Sequence, residues 1–395
     1  MRDLLIKYLK KIHYRIPVRI RNLYMYFVNL VRILGYYNLP LYLYTGEDKT
    51  SGSPLKVTWL GRDSTIPCYW MQRIFKGDYK VQKKKKIPVR NLLKYFSNNR
   101  EGYDLTIIEL NNRTRKYAGT NAGFLLYRWL EMKVDTREFM QQIKKNELMR
   151  RIRKYSLSFE RRNTDEDFKF FHQRMYVPYI CSRHKESAVI CDYKFFLGIY
   201  RKKGSQLGFV VKDGEPVAGS FTEMRGDKLR ISSSGILDGR EDIMRMGVNG
   251  AIYYFVVLDS LNKGMESISI GGSSPVLTDG LTRYKLTLGA KAEDLQYFYS
   301  QYLWLMPLKD SQAVRNFLKS NPFVHRIKDS LYRSIFIDPS EYEDRKEFIK
   351  YIHHISCGNI KGTKIYCFGN TGKIAAWIEE EGYKDFQVLN FMIQH

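Results

Sequence analysis

The alternation of apolar and polar residues along the chain predicts a mixed α/β protein. In the first part, buried strands are expected at 55–61 and 104–110, with a helix or turn at 66–75 and a helix at 89–96. Strands that alternate with helical stretches in this way are typical of α/β layers. The pattern therefore predicts a first α/β layer between about 55 and 145.

The clearest pattern runs from residue 206 to residue 290. Its first two strands are separated by Asp213-Gly214, a dipeptide that tolerates the positive φ of a type I′ hairpin turn. The predicted elements are, in order, strands at 207–211, 216–224 and 229–233, a loop with three glycines at 235–247, a strongly apolar helix at 248–261 and a strand at 265–270. This order combines an antiparallel meander with a glycine loop, a buried helix and a further strand.

Breaks in the pattern predict the domain organisation. Proline, glycine and serine cluster at 38–54, a long charged helical stretch occupies 132–154, and more helices and strands follow residue 311. The predicted parts are a basic amphipathic N-terminal segment (1–54), a first α/β half (55–150), a second α/β half (151–310) and a C-terminal α/β extension (311–395).

Composition excludes several classes of protein. Of the 395 residues, 44% are hydrophobic and 14% aromatic, which is too many for a disordered basic chain. The five cysteines form no CxxC pair, so a disulfide scaffold and a structural zinc site are not expected. A reducing, cytoplasmic setting fits this cysteine usage best.

The formal net charge of +25 predicts an anionic partner, which is a nucleic acid, a phosphorylated cofactor or an anionic membrane surface. Part of this charge lies at 1–35, where basic residues interleave with apolar residues at helical spacing. Such a segment either lies among the headgroups on the inner face of a membrane or docks on the protein's own core. No stretch is long enough to span a membrane. The lysine run 83–86 is interpreted as a solvated loop.

Four motifs in the second half resemble a known group of enzymes. They are VKDGEPVAG at 211–219, NGA at 249–251, GGSSP at 271–275 and DGLTRYK at 279–285. On these residues the chain resembles the FemAB-like branch of the GNAT superfamily. The resemblance covers about 160–305 well and 55–145 weakly. It implies an α/β GNAT-like (acyl-CoA N-acyltransferase) fold in two tandem halves, of which the first is degenerate and the second catalytic.

The resemblance also implies an enzyme. Its activity would be transfer of an acyl group from a thioester, such as acetyl-CoA, to the amine of an amino sugar or cell-envelope intermediate, without a metal. Two alternatives stay open. One is a peptidyl aminoacyl transferase that uses aminoacyl-tRNA as the donor. The other is a non-catalytic basic binding protein that has the same fold.

The donor is expected at the entry of the helix that follows the glycine loop. A helix N-terminus offers free N–H groups and the positive end of the helix dipole to a phosphate. The expected donor-binding residues are Arg245, Gly247, Asn249, Gly250 and Ala251. The loop departs from the usual acetyl-CoA pattern, because the third residue after Arg245 is Val248, although the fifth is Gly250. CoA and tRNA therefore both remain as donors.

The resemblance places Lys285 at the site, where it would polarise a carbonyl or hold a phosphate, on a strand or at a turn with Arg283. Asp279 would orient Lys285 or accept the proton of the amine, or it would cap a turn. His184 is a further candidate base because of its ordinary pKa. The residues expected to bind the acceptor are Tyr176, Tyr179, Arg183, Glu223 and Arg283, with Arg230 on a neighbouring strand. For each residue the alternative is a purely structural role.

Overall fold

A computed structural model describes residues 34–63, 66–119, 122–143, 147–184, 190–226, 228–294, 301–355 and 360–393. The predicted N-terminal amphipathic stretch at 1–33 lies outside these ranges. The described residues form two compact units. Unit 2 contains those between Trp129 and Leu295 and between Asp344 and Lys361, and unit 1 contains the rest.

Seventeen strands are present among the described residues. In chain order they are β1 (Asn38–Glu47), β2 (Pro54–Leu60), β3 (Lys80–Pro88), β4 (Leu105–Leu110), β5 (Phe124–Tyr127), β6 (Leu130–Asp135), β7 (Ser158–Arg161), β8 (Gln206–Lys212), β9 (Glu215–Arg225), β10 (Lys228–Ile236), β11 (Ser267–Ser273), β12 (Lys291–Asp294), β13 (Tyr302–Pro307), β14 (Phe323–Ile327), β15 (Ser330–Ile337), β16 (Gly362–Cys367) and β17 (Phe386–Asn390).

The helices of the described residues lie between these strands. They are α1 (Ile66–Ile74), α2 (Leu92–Asn98), α3 (Thr136–Ile143), α4 (Glu147–Lys154), α5 (Asp165–Phe170), α6 (Val177–His184), α7 (Tyr193–Tyr200), α8 (Glu241–Arg245), α9 (Val248–Asn262), α10 (Gly280–Thr287), α11 (Gln312–Ser320), α12 (Arg345–His354) and α13 (Gly372–Glu380). A π-helical turn, Phe171–Tyr176, joins α5 to α6.

Unit 2 is built on a seven-stranded sheet in the order β12-β6-β11-β10-β9-β8-β7. Strands β8, β9 and β10 form an antiparallel meander, α9 follows, and β11 lies parallel to β10. This is the strand order that the sequence predicted, so the α/β, GNAT-like fold is confirmed. The β10–β11 ladder contains a single pair, Arg230 opposite Ser269, although β10 continues to Ile236 and β11 to Ser273. The carboxyl ends of these two strands therefore do not pair with each other.

In each sheet, a strand from a distant part of the chain is inserted between two others. Strand β6 lies between β11 and β12 and is antiparallel to both. Strand β13 lies between β4 and β5 in the ten-stranded sheet of unit 1 and is also antiparallel to both neighbours. Strands β14 to β17 continue that same sheet. The domain boundaries predicted after residues 54, 150 and 310, and the degenerate character of the first half, stay predictions.

Five local predictions were wrong. Residues 38–47, in the break predicted at 38–54, form β1, and residues 132–135, in the helical stretch predicted at 132–154, belong to β6. The lysine run 83–86 lies in β3 and not in a loop. Its seven N-terminal residues are all exposed, so neither face needs apolar residues and the usual alternation is absent. The stretch 235–247 contains α8 in addition to its turns. Residues 280–287 form α10 and not a strand, because the Asp279 carboxylate accepts hydrogen bonds from the N–H groups of Leu281 and Thr282.

Gly235 on β10 lies directly against the π-helical turn. A Cβ added there would lie 2.5 Å from both Met175 C and Tyr176 N. Because both obstructing atoms are backbone atoms, we expect Gly235→Ala to lower the free energy of unfolding by roughly 2–3 kcal/mol. Gly198 on α7, which has no atom within 4 Å of such a Cβ, provides the control. Gly198→Ala should be neutral or slightly stabilising in the same urea titration, and wild-type stability of Gly235→Ala would contradict the close approach.

Candidate active site

Lys285 lies on the inner side of α10 and only 3% of its surface is exposed. Its Nζ donates a hydrogen bond to the Gly272 carbonyl at 3.0 Å. Gly271 has a φ of 83°, and a Cβ at this position would lie 2.9 Å from Ile231 O and 3.5 Å from Lys285 Nζ. A larger residue would be strained at this position and would crowd the amine. The glycine pair at 271–272 thus lets a lysine side chain approach the end of β11.

The surroundings of Lys285 disfavour its charged form. Burial, followed by the positive charge of Arg230, lowers the pKa of Lys285 to about 7, whereas Glu131 and Asp279 partly oppose this shift. An ordinary lysine has a pKa near 10.4. Near neutral pH the amine is therefore divided between its charged and neutral forms. A lysine in this state donates hydrogen bonds in either form and gains or loses a proton readily.

Arg230 connects Lys285 to two buried carboxylates. Its Nε donates to Glu131 Oε1 at 2.9 Å, and its Nη1 lies 3.9 Å from Glu223 Oε1. Glu223 also pairs with Arg225 at 2.7 Å and accepts a hydrogen bond from Ser232. Glu131 accepts a second hydrogen bond from Ser269. The carboxylates of Glu131 and Glu223 therefore lie among three basic side chains, those of Arg225, Arg230 and Lys285. While Lys285 is protonated, this group of five side chains carries one net positive charge.

One carboxylate oxygen of this network accepts no hydrogen bond from the described residues. Glu131 is 8% exposed, and its Oε2 has no hydrogen-bond partner among the described residues. A buried carboxylate oxygen of this kind normally has a partner. Glu131 stands opposite Gly272 in the β6–β11 ladder, and Arg230 stands opposite Ser269 in the β10–β11 ladder. The network therefore lies where β10 and β11 stop pairing, and it offers N–H donors beside a free carboxylate oxygen.

The N-terminus of α9 is built differently from the prediction. Gly247 has a φ of 85° and precedes the helix, as expected for a glycine turn. Arg245, however, is exposed and pairs with Glu241 at 2.7 Å. Arg151 from α4 approaches this turn, because its Nη1 donates to the Arg245 carbonyl at 3.1 Å and its Cδ lies 3.0 Å from the Cβ position of Gly247. The basic side chain that covers the helix entry is thus Arg151.

The remaining predicted donor-binding residues face neighbouring side chains. Asn249 donates its Nδ2 hydrogen bond to the Tyr179 hydroxyl at 3.1 Å, so two predicted site residues do meet. Gly250 packs against Leu148 and the Tyr284 hydroxyl, which lie 2.6 and 2.7 Å from its Cβ position. Ala251 is buried, and its N–H donates to the Gly247 carbonyl at 3.1 Å.

Other predicted residues lie apart from Lys285. Tyr176 is buried, its hydroxyl accepts a hydrogen bond from Cys191 N at 3.1 Å, and burial raises its pKa. Arg183 is exposed on α6, and Arg283 is exposed on α10 with its Nη2 3.3 Å from His354 Nδ1. Arg283 and Lys285 were expected to act together, but positions two apart on a helix point in different directions. The His184 side chain lies outside the described residues. The roles predicted for these residues stay predictions.

Sequence reasoning did not identify Glu131, Ser269 or Arg151. Glu131 reaches the site on β6, which pairs with strands far away in sequence, and no local pattern predicts such a pairing. Arg151 lies in the long charged helical stretch predicted at 132–154, and no motif connected that stretch with the site. Ser269 carried one weak signal, since it precedes the Gly271-Gly272 pair on a predicted strand.

No group of three or more histidine, cysteine, aspartate or glutamate side chains in the described ranges is arranged to hold a metal ion. Among the helices of the same ranges, none combines the length and apolar character needed to cross a membrane.

Comparison with known proteins gives structural likenesses only. No protein-family model matches the sequence, and no curated protein is similar to it. A C-terminal domain of a putative lysylphosphatidylglycerol synthetase from Agrobacterium fabrum is similar at 11% identity and a TM-score of 0.35, over 79% of this chain and 94% of that chain. FemX is similar at 12% identity and a TM-score of 0.35, over 66% and 83%. A GCN5-related N-acetyltransferase from Kribbella flavida is similar at 9% identity and a TM-score of 0.31, over 84% and 74%. The GNAT-like assignment rests on the strand order of unit 2.

Proposed function

We propose that the chain is an N-acyltransferase that moves an acyl group from an acyl-CoA thioester, such as acetyl-CoA, to an amine. The observation that carries this proposal is the placement of Lys285 beside the carboxyl end of β11, with Arg230 at the position where β10 and β11 pair, in a GNAT-like sheet. An amino sugar or another cell-envelope intermediate is the proposed acceptor. The cysteine usage supports a cytoplasmic location. The basic residues that interleave with apolar residues at 1–35 support a position on the inner face of a membrane.

The proposed reaction needs stabilisation of negative charge on a carbonyl oxygen. The neutral amine attacks the donor carbonyl, a C–N bond forms, and the oxygen becomes an oxyanion. Hydrogen-bond donors held in place before the reaction stabilise such an oxyanion most effectively. The Lys285 ammonium, buried and held by the Gly272 carbonyl, supplies one donor. The Arg230 guanidinium, fixed by Glu131, supplies positive charge beside it.

The amine must also lose a proton when it becomes an amide. The free Oε2 of Glu131 is the proposed acceptor of this proton, since it is buried next to Arg230 and unbonded among the described residues. Collapse of the intermediate breaks the C–S bond, and the CoA thiolate leaves and takes up a proton. Asp279 was a predicted acceptor, but its Oδ1 accepts from two N–H groups of α10, which supports the capping role. His184 remains a candidate base.

The donor's phosphates are proposed to bind at the entry of α9. The left-handed turn at Gly247 and the adjacent Arg151 side chain support an anion at this position. Acyl-CoA would supply the activated acyl group there. The alternative donor is aminoacyl-tRNA, which the departure from the usual acetyl-CoA loop at Val248 favours.

The donor is tested by calorimetric titration of the full chain with acetyl-CoA and, separately, with aminoacylated tRNA. We expect saturable heat with acetyl-CoA and a Kd between about 1 μM and 1 mM, the usual range of enzyme substrates. Arg151→Met should weaken binding by about tenfold, whereas Lys202→Met, which changes an exposed lysine after α7, should not. Heat with tRNA alone would support the alternative donor. Heat with neither would contradict both enzymes and favour a non-catalytic binding protein.

A further inference from the structure

One edge of unit 1 carries a dense group of positive charges. Among the described residues, strand β3 ends the ten-stranded sheet and pairs with β1 alone. Between residues 76 and 94 the chain has seven lysines and one arginine but a single acidic residue, Asp78. All eight basic residues are exposed, and together they are called the lysine edge: Lys76, Lys80, Lys83, Lys84, Lys85, Lys86, Arg90 and Lys94.

The lysine edge is not neutralised by the protein. Within the described ranges, none of its eight side chains forms an ion pair with a carboxylate, whereas basic residues such as Arg161, Arg174 and Arg201 have acidic partners. Like charges this close repel one another unless counter-charges are near. Residues 1–33 carry eight basic residues and one acidic residue, so the net charge of that part of the sequence is also positive. The lysine edge therefore fits an extended anionic partner.

Apolar side chains are exposed among these charges. Val81 and Leu93 are 55% and 43% exposed. Leu34 and Tyr37, 55% and 37% exposed, lie near the other end of β3, where the Val89 N–H donates to the Tyr37 carbonyl at 2.9 Å. Exposed aliphatic residues beside lysines are typical of surfaces that enter the headgroup region of a membrane.

The same surface is poorly suited to stacking of nucleic-acid bases. Proteins that bind single strands stack the bases on exposed aromatic rings. The Tyr95 ring is covered by Lys85, whose Nζ lies 4.7 Å from the ring centroid, and its hydroxyl lies 3.1 Å from that of Tyr103. Tyr37 is 37% exposed, but a single ring near one end of β3 does not form a platform for successive bases. The charges and the exposed aliphatic residues together favour lipid over RNA.

We propose that the lysine edge is a docking surface for an anionic phospholipid bilayer. Lipid phosphates neutralise the lysines of β3, and Val81 and Leu93 enter the interface. The strand spans about 30 Å at the usual rise per residue, so it contacts several headgroups at once. This surface belongs to unit 1 and is independent of the proposed acyl transfer in unit 2.

The test is flotation of the full chain with vesicles of phosphatidylcholine alone or with about 30% phosphatidylglycerol. We expect binding to the anionic vesicles only, and release at high salt, because salt screens such attraction. Changing Lys83, Lys84, Lys85 and Lys86 to Gln should weaken the partition coefficient at least about tenfold, since each basic residue near a membrane contributes appreciably. The matched control changes four other exposed lysines to Gln, Lys202, Lys203, Lys346 and Lys384, and should stay within about twofold.

Three results would overturn the proposal. Unchanged vesicle binding of the β3 variant would show that the lysine edge does not touch lipid. An equal loss in the matched control would show that only net charge matters. If the β3 variant loses binding to a bulk tRNA preparation but still binds the vesicles, the lysine edge is a surface for RNA. If circular dichroism shows that the fourfold variant does not fold, the double variant Lys84→Gln/Lys86→Gln replaces it. Its vesicle partition coefficient should also fall, but by a smaller factor.

Discussion

Lys285→Met is expected to abolish acyl transfer and, at the same time, to make the protein more stable. Activity should fall at least about 100-fold, because the variant loses a hydrogen-bond donor to the developing oxyanion. Stability should rise because a nearly isosteric apolar side chain replaces an amine that is 3% exposed and lies close to Arg230. A residue that destabilises its own fold is retained more readily for function than for structure.

The gain in stability should depend on pH with a definite sign. The unfolded chain binds a proton at Lys285 up to about pH 10.4, whereas the folded chain loses it near pH 7. The penalty in the wild type is therefore complete below pH 7 and disappears as the pH rises towards 10.4. We expect Lys285→Met to raise the free energy of unfolding by roughly 3–5 kcal/mol at pH 6 and by far less at pH 10.

Urea unfolding of both proteins at the two pH values measures this difference, and other titrating groups cancel in the comparison. Lys202→Met, which removes an exposed lysine, should change neither activity nor stability. Equal stability of Lys285→Met and wild type at pH 6 would show that Lys285 is not buried as a cation. Wild-type turnover in Lys285→Met would remove Lys285 from the proposed mechanism.

Glu131→Ala is expected to have the largest destabilising effect within the site. It leaves the Arg230 guanidinium, whose side chain is 13% exposed, without its main carboxylate partner. Removing one member of a buried ion pair destabilises a protein by several kcal/mol. Because Glu223 lies 3.9 Å from Arg230 and compensates in part, we expect a loss of roughly 3 kcal/mol. The pKa of Lys285 should fall further, since Glu131 opposes the present shift.

A second variant separates the charge of Glu131 from its catalytic role. The double change Glu131→Leu with Arg230→Met replaces the ion pair by apolar side chains of similar size, and such replacements are often neutral for stability. We expect this protein to regain most of the stability lost in Glu131→Ala but to remain inactive. Recovery of activity with stability would mean that neither residue takes part in the reaction. The comparison uses urea unfolding at pH 7 and acyl transfer under the same conditions.

Those parts of the fold that are specified locally could be predicted from the sequence. The hairpin at Asp213-Gly214 and the long apolar run of α9 are encoded within a few residues, and the order β8-β9-β10-α9-β11 followed from them. The helix that contains Lys285 could not be predicted from the neighbouring residues alone. The same Asp279 residue suits a turn or a helix cap, and only the packing of α10 on the sheet decides between them.

The residues of the candidate site show the same difference between what neighbouring residues specify and what long-range packing decides. Lys285 could be predicted as a candidate because the motif that contains it is contiguous, whereas Glu131 comes from β6 and meets Arg230 only after strands 99 positions apart in the chain come together. The residues predicted at the entry of α9 are close together in sequence, but Arg245 points outward and forms an ion pair with Glu241 on its own helical turn. Long-range pairing and competition between nearby partners were the two effects that the pattern of residues did not reveal.

The placement of β6 and β13 has a consequence for synthesis on the ribosome. Strand β6 is made long before β11 and β12, between which it must lie, and β4 and β5 must wait for β13. The sheet of unit 2 can therefore close first, while that of unit 1 stays incomplete until its late strands emerge. A nascent chain of this topology exposes unpaired strand edges for most of its synthesis, which makes it a natural client of chaperones that shield such edges.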